Sequence, residues 1–73
     1  MRLNQAFILR VTELCERENL TLYQLSRRAG LPKSTLLSAM DPEKGNPGLG
    51  TVEAVLRGLR VSAAEFFDSE LFD

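Results

Sequence analysis

Histidine is absent from the 73 residues, and cysteine occurs once, at Cys15. One thiol without an imidazole cannot assemble a zinc site, so no metal or other cofactor is expected. Nor can Cys15 close a disulfide within the chain. Small secreted domains usually rely on disulfides, so the chain reads as cytoplasmic. No apolar run approaches the ~18 residues that span a bilayer. No signal-like apolar stretch follows Met1 to Gln5, so a membrane partner is not expected. A glycine-rich phosphate loop is missing, as is a pair of carboxylates placed for acid–base work. Without histidine as well, the chain does not read as an enzyme. A basic excess is also lacking, because the formal net charge is −1.

The length fits one domain, and a domain this small buries only about 60% of the surface its unfolded chain exposes. Charge is unevenly distributed along it. Between Leu20 and Pro47 stand Arg27, Arg28, Lys33 and Lys44 against Asp41 and Glu43, whereas the flanks hold five basic and eight acidic residues. A mildly basic middle between acidic flanks can present a positive face despite the negative sum.

Three helix starts share one signature. Leu3 precedes Asn4 with Ile8 beyond, Leu20 precedes Thr21 with Leu25 beyond, and Val61 precedes Ser62 with Phe66 beyond. Each middle residue can accept from a first-turn amide, and the apolar pair can clamp across it. Thr21 with Gln24 and Ser62 with Glu65 also read as capping boxes. The first helix is predicted over 5–18, with Phe7, Ile8, Val11, Leu14 and Cys15 as its apolar stripe and Arg10, Glu13, Glu16 and Arg17 in solvent. Cys15 is then a small core residue.

The second helix is predicted over 22–29 and stops at Gly30, which takes a left-handed conformation cheaply. Leu31 is pushed out of the helical region by Pro32, and Pro32 suits the start of a third helix that runs to about Met40. Asp41-Pro42 ends it. A loop of glycine, proline and asparagine fills 43–50, a fourth helix covers 49–59, and a fifth covers 63–68. The sequence leaves open the order of a tail over 69–73.

The two to three residues between the second and third helices force a tight, angled contact, as in a helix-turn-helix. Every slot that motif requires holds a suitable type: Leu25 and Leu31 are apolar, Ser26 and Ala29 are small, Gly30 makes the bend, and Leu36 and Ala39 point back. The fold class is therefore all-α, with five helices and a helix-turn-helix in helices 2 and 3.

The run Thr21-Leu22-Tyr23-Gln24-Leu25-Ser26-Arg27-Arg28-Ala29-Gly30-Leu31-Pro32-Lys33-Ser34-Thr35-Leu36 resembles the helix-turn-helix of phage repressor and Cro-type regulators, the XRE family. Asn46-Pro47 resembles that family's asparagine-proline before the fourth helix. Leu59-Arg60-Val61-Ser62 and Glu65-Phe66-Phe67 resemble its close. The resemblance implies a lambda-repressor-like domain that binds double-stranded DNA, acts as a transcriptional regulator, usually a repressor, and does so as a dimer or dimer-like complex.

On that reading helix 3 lies in the major groove. Lys33, Ser34, Leu37 and Ser38 share its outward face. Lys33 can donate to guanine, serines can bond several bases, and Leu37 can pack on a thymine methyl. Lys33, Ser34 and Ser38 match positions the family uses for base contact, while Leu37 rests on helical geometry. Phosphate contacts are expected from Thr21 and Leu22 at the start of helix 2 and from Lys44, Gly45 and Asn46 in the loop. In the family Leu22's slot often holds a polar residue.

No small-molecule ligand is expected, since no effector domain accompanies the helices. Phe67, Leu71 and Phe72 are the candidate contacts of a weak homodimer, formed mainly on DNA. The alternative is a protein-interaction module of the same fold, an antitoxin-like or anti-repressor partner with weak DNA contacts.

Overall fold

The computed structural model describes residues 1–44 and 46–73. Among these residues the architecture is all-helical, without strands: α1 Leu3–Glu18, α2 Leu22–Ala29, α3 Lys33–Ala39, α4 Leu49–Leu59, α5 Ala63–Phe67, and a 3-10 turn Glu70–Phe72. No helix is long and apolar enough to cross a membrane.

Three of the joints are built alike. The α1, α2 and α4 helices each end on a left-handed residue: Asn19 (φ 59°), Gly30 (φ 69°) and Arg60 (φ 61°). The next amide reaches back to a carbonyl in the last turn: Leu20 to Cys15 at 2.8 Å, Leu31 to Ser26 at 2.9 Å and Val61 to Leu56 at 3.2 Å. These bonds pair carbonyls that a helix end otherwise leaves open, and they fold an apolar side chain back onto the helix. Leu20, Leu31 and Val61 accordingly pack against the core.

The following residue opens the next helix. Thr21 Oγ1 accepts from the Gln24 amide at 3.1 Å while Gln24 Oε1 accepts from the Thr21 amide at 2.9 Å. Ser62 Oγ accepts from the Glu65 amide at 3.0 Å. The capping box expected at Ser62 is only half made, because the Glu65 carboxylate turns instead toward Arg17, 3.6 Å from its Nη2.

The α1 start differs from expectation. Its helix begins at Leu3, and Gln5 Oε1 accepts from the Arg2 amide at 3.1 Å. Asn4 lies inside the helix, where its amide reaches the Pro42 carbonyl at 3.4 Å, and Leu3 is exposed rather than stapled to Ile8. A distant carbonyl captures the side chain that would otherwise have capped.

Phe7, Val11, Leu14, Cys15, Leu25, Leu36, Val55, Leu56, Leu59 and Phe66 form one core. Complete burial of a side chain such as Leu36 contributes roughly 1.5–3 kcal/mol. Burial also pushes the Cys15 thiol above its ordinary pKa. Ser26 is the buried polar residue among those described, and its hydroxyl donates to the Tyr23 carbonyl at 2.7 Å.

The α2 and α4 helices approach closely at Gly58. A Cβ placed there would stand 2.9 Å from Leu25 Cδ1 and 3.1 Å from the Ala29 nitrogen. This contact holds α2, and with it the short connection to α3, against the rest of the domain.

Arg10 also departs from expectation. Its side chain is only 12% exposed. Its guanidinium donates to the Phe66 carbonyl at 2.8 Å and the Glu65 carbonyl at 2.9 Å, and it pairs with Glu13. A cation at the carbonyl end of a helix is favourable, and here it ties α5 to α1. The tail folds back onto the domain. Ser69 Oγ accepts from the Leu71 amide at 3.2 Å, and the Phe72 ring lies 5.9 Å from Phe66 and 4.8 Å from Phe67.

Candidate nucleic-acid interface

The α3 helix has two sharply different faces. Leu36 and Ala39 are buried, at 0% and 5% exposure, while Lys33, Ser34, Leu37 and Ser38 are all exposed. Its start follows from the chain just before it. Pro32 stands at the cap with φ −57°, and its carbonyl accepts from the Thr35 and Leu36 amides at 3.0 and 3.2 Å. Only Gly30, Leu31 and Pro32 separate it from α2. The four residues expected to read bases therefore share one solvent-facing surface, and Leu37, at 46% exposure, lies within it.

Beside this face lies an open depression of ≈310 Å³ lined by Thr35, Ser38, Ala39, Lys44, Asn46, Pro47, Gly48 and Thr51. It joins Ser38 to the loop residues Lys44 and Asn46, both exposed. The loop is folded by local bonds: the Asp41 carboxylate accepts from the Glu43 amide at 2.9 Å, and the Asp41 carbonyl from the Lys44 amide at 3.1 Å. Gly45 lies outside the described residues. Thr35 and Thr51 line the same depression and were not anticipated from the sequence. Both are half-buried polar residues whose position depends on how α3 and α4 meet.

Thr21 and Leu22 sit at the start of α2. The Thr21 hydroxyl and amide are both engaged by Gln24, which leaves the first-turn amides of Leu22 and Tyr23 as the groups without an intrahelical acceptor. The Leu22 side chain is half-buried and packs against the core.

Ion pairs among the described residues join Arg10 to Glu13, and Arg17 to Glu18 and Glu65, all on the α1 side. Among the described residues Arg27, Arg28, Lys33 and Lys44 have no acidic partner within 4.0 Å, and neither have Arg2, Arg57 and Arg60. Tyr23 lies near two of them, with the Arg27 guanidinium and the Lys33 ammonium each 5.8 Å from its ring centre.

Phe67, Leu71 and Phe72 do not form a single outward patch. Phe72 folds onto Phe66 and is half-buried, and Leu71 lines a different depression with Met1 and Glu13. Phe67, 42% exposed, instead borders two adjoining apolar grooves that share Leu49 and Val52 with it, ≈230 and ≈430 Å³. Leu49 is 87% exposed. Comparison of the chain with protein-family models, with curated proteins and with solved structures found no match.

Proposed function

We propose that the chain is a sequence-specific double-stranded DNA-binding module of the lambda-repressor-like, helix-turn-helix kind that acts as a transcriptional regulator. The observation that carries this reading is the outward face of α3, where exposed Lys33, Ser34, Leu37 and Ser38 lie together, with Arg27 across the Tyr23 ring and Lys44 across the depression from Ser38. An α-helix fits the major groove of B-DNA. Lys33, Ser34 and Ser38 would read base edges and Leu37 a thymine methyl. The Leu22 amide, Lys44 and Asn46 would hold phosphates. Lys33, Arg27 and Lys44 would give the sequence-independent attraction.

Two copies on one operator complete the reading. Half-sites one helical turn apart are separated by ~34 Å, and the longest extent of the domain is 30 Å between Cα atoms. Neighbouring copies would meet only through side chains, and only with their long axes in line. The groove around Leu49, Val52 and Phe67 is the surface we assign to that contact. Glu53 and Arg57 line it four residues apart, with no ion pair between them within 4.0 Å. Across a two-fold axis perpendicular to α4, which sets the two α4 helices antiparallel, each Glu53 would meet the other copy's Arg57, which makes the patch self-complementary. A contact this small predicts a monomer or a monomer–dimer mixture at micromolar concentration, with two copies bound per operator.

The same groove favours the second reading, a protein-interaction module with weak DNA contacts. Fluorescence anisotropy with a random duplex separates the two. DNA binding at low salt that falls linearly in log K against log salt supports the first. No binding at low salt would leave the second.

A further inference from the structure

We propose that Tyr23 is a positioning residue for Lys33, and this rests on the DNA-binding reading above. Tyr23 and Lys33 belong to different helices, yet the Lys33 ammonium lies 5.8 Å from the centre of the Tyr23 ring. The Arg27 guanidinium, one turn along α2, lies 5.8 Å from the same ring. Both distances fall within the ≈6 Å over which an aromatic quadrupole attracts a cation. Two like charges drawn to one ring are otherwise placed against their mutual repulsion. The ring is 52% exposed, so it is not held there to fill the core.

Lysine is a point charge on a long flexible stem. Left free at the start of α3, it would find phosphates as readily as bases. Drawn to the Tyr23 ring, the stem is bent toward α2 and the ammonium is confined to one region beside the outward face of α3. Tyr23 thereby converts a general cation into one with a fixed reach and lowers the entropy lost when Lys33 settles on a base. Removing the ring alters no charge. The non-specific attraction and its salt dependence should therefore stay as they are, while the preference for the selected site falls. An exposed cation–aromatic contact corresponds to about a two- to fivefold change in that preference.

The test compares Tyr23→Leu with Tyr23→Phe, which keeps the ring and removes the hydroxyl. In the DNA-free protein, NMR should show the Lys33 ε-methylene protons shifted upfield by the ring in the parent and in Tyr23→Phe, and unshifted in Tyr23→Leu. On DNA, the ratio of affinities for a selected duplex and a random duplex should narrow two- to fivefold in Tyr23→Leu only. It should not narrow further when Tyr23→Leu is added to Lys33→Ala. An unshifted Lys33 in the parent, an equal loss in Tyr23→Phe, or additivity with Lys33→Ala would each overturn the positioning role. A shifted Lys33 in a protein that binds no duplex would instead overturn the DNA-binding reading and, with it, the role.

Discussion

Replacing Gly58 with alanine sets two known effects against each other. Glycine inside a helix costs about 1 kcal/mol relative to alanine, so propensity alone predicts stabilisation. The structure predicts the opposite. The new methyl would stand 2.9 Å from Leu25 Cδ1, 3.1 Å from the Ala29 nitrogen and 3.2 Å from the Ala29 Cβ. Leu25 is fully buried, so its methyl has little room to retreat, and the Ala29 nitrogen is backbone. Relief requires α2 and α4 to separate by several tenths of an ångström, which costs roughly 1–3 kcal/mol in a packed interior. The net expectation for Gly58→Ala is a loss of about 1 kcal/mol, or about 4–8 °C in Tm for a domain of this size. Gly50 supplies the control. It too lies in α4, but nothing stands within 4 Å of a Cβ added there. Gly50→Ala should stabilise by about 0.4–1 kcal/mol. Urea unfolding followed by far-ultraviolet circular dichroism measures both. If Gly58→Ala raised the midpoint as Gly50→Ala does, the close approach of α2 and α4 would be refuted.

Other perturbations test other joints. Thr21→Ala and Ser62→Ala should each lower stability by about 1 kcal/mol, and unchanged urea midpoints would contradict these caps. Arg10→Ala removes two charge-assisted bonds to the end of α5 and should cost about 2–3 kcal/mol, whereas loss of an exposed arginine would cost almost nothing. The Cys15 thiol should alkylate slowly at pH 8 in the folded protein and quickly in urea. Because folding raises its pKa, its contribution to stability is complete below the unfolded thiol's pKa and is lost as the pH rises through the folded value. Cys15→Ala should remove that part of the alkaline fall in urea midpoint.

The features legible in the sequence are those whose partners lie within one helical turn. The Thr21–Gln24 box, the Ser62 cap and the stop at Gly30 each involve side chains and amides two to four residues apart, and each stands where the sequence places it. The burial of Leu36 and Ala39 against the exposure of Lys33, Ser34, Leu37 and Ser38 follows from helical period alone. What the sequence conceals depends on distant partners. Arg10 looks like a solvent-facing charge until the carbonyl of Phe66, 56 residues away, is beside it. Asn4 carries a cap signature, but its side chain is drawn 38 residues along to Pro42. Gly58 looks like a weakness in a helix until α2 lies against it. Phe72 is hidden for a further reason: a short acidic tail has no periodicity from which its return to Phe66 could be read.

The proposed reading of base sequence by α3 is open to test by selection of bound duplexes from a random pool. The parent should enrich a half-site, repeated with a centre-to-centre spacing of about one helical turn, or 10–10.5 base pairs. Lys33→Ala should still enrich DNA but lose preference at one base pair per half-site, at a cost of roughly 1–3 kcal/mol, whereas Lys44→Ala should keep the same half-site and bind every sequence more weakly. A pool that stays random with the parent protein, or a half-site left intact by Lys33→Ala and altered by Lys44→Ala, would rule out base reading by α3.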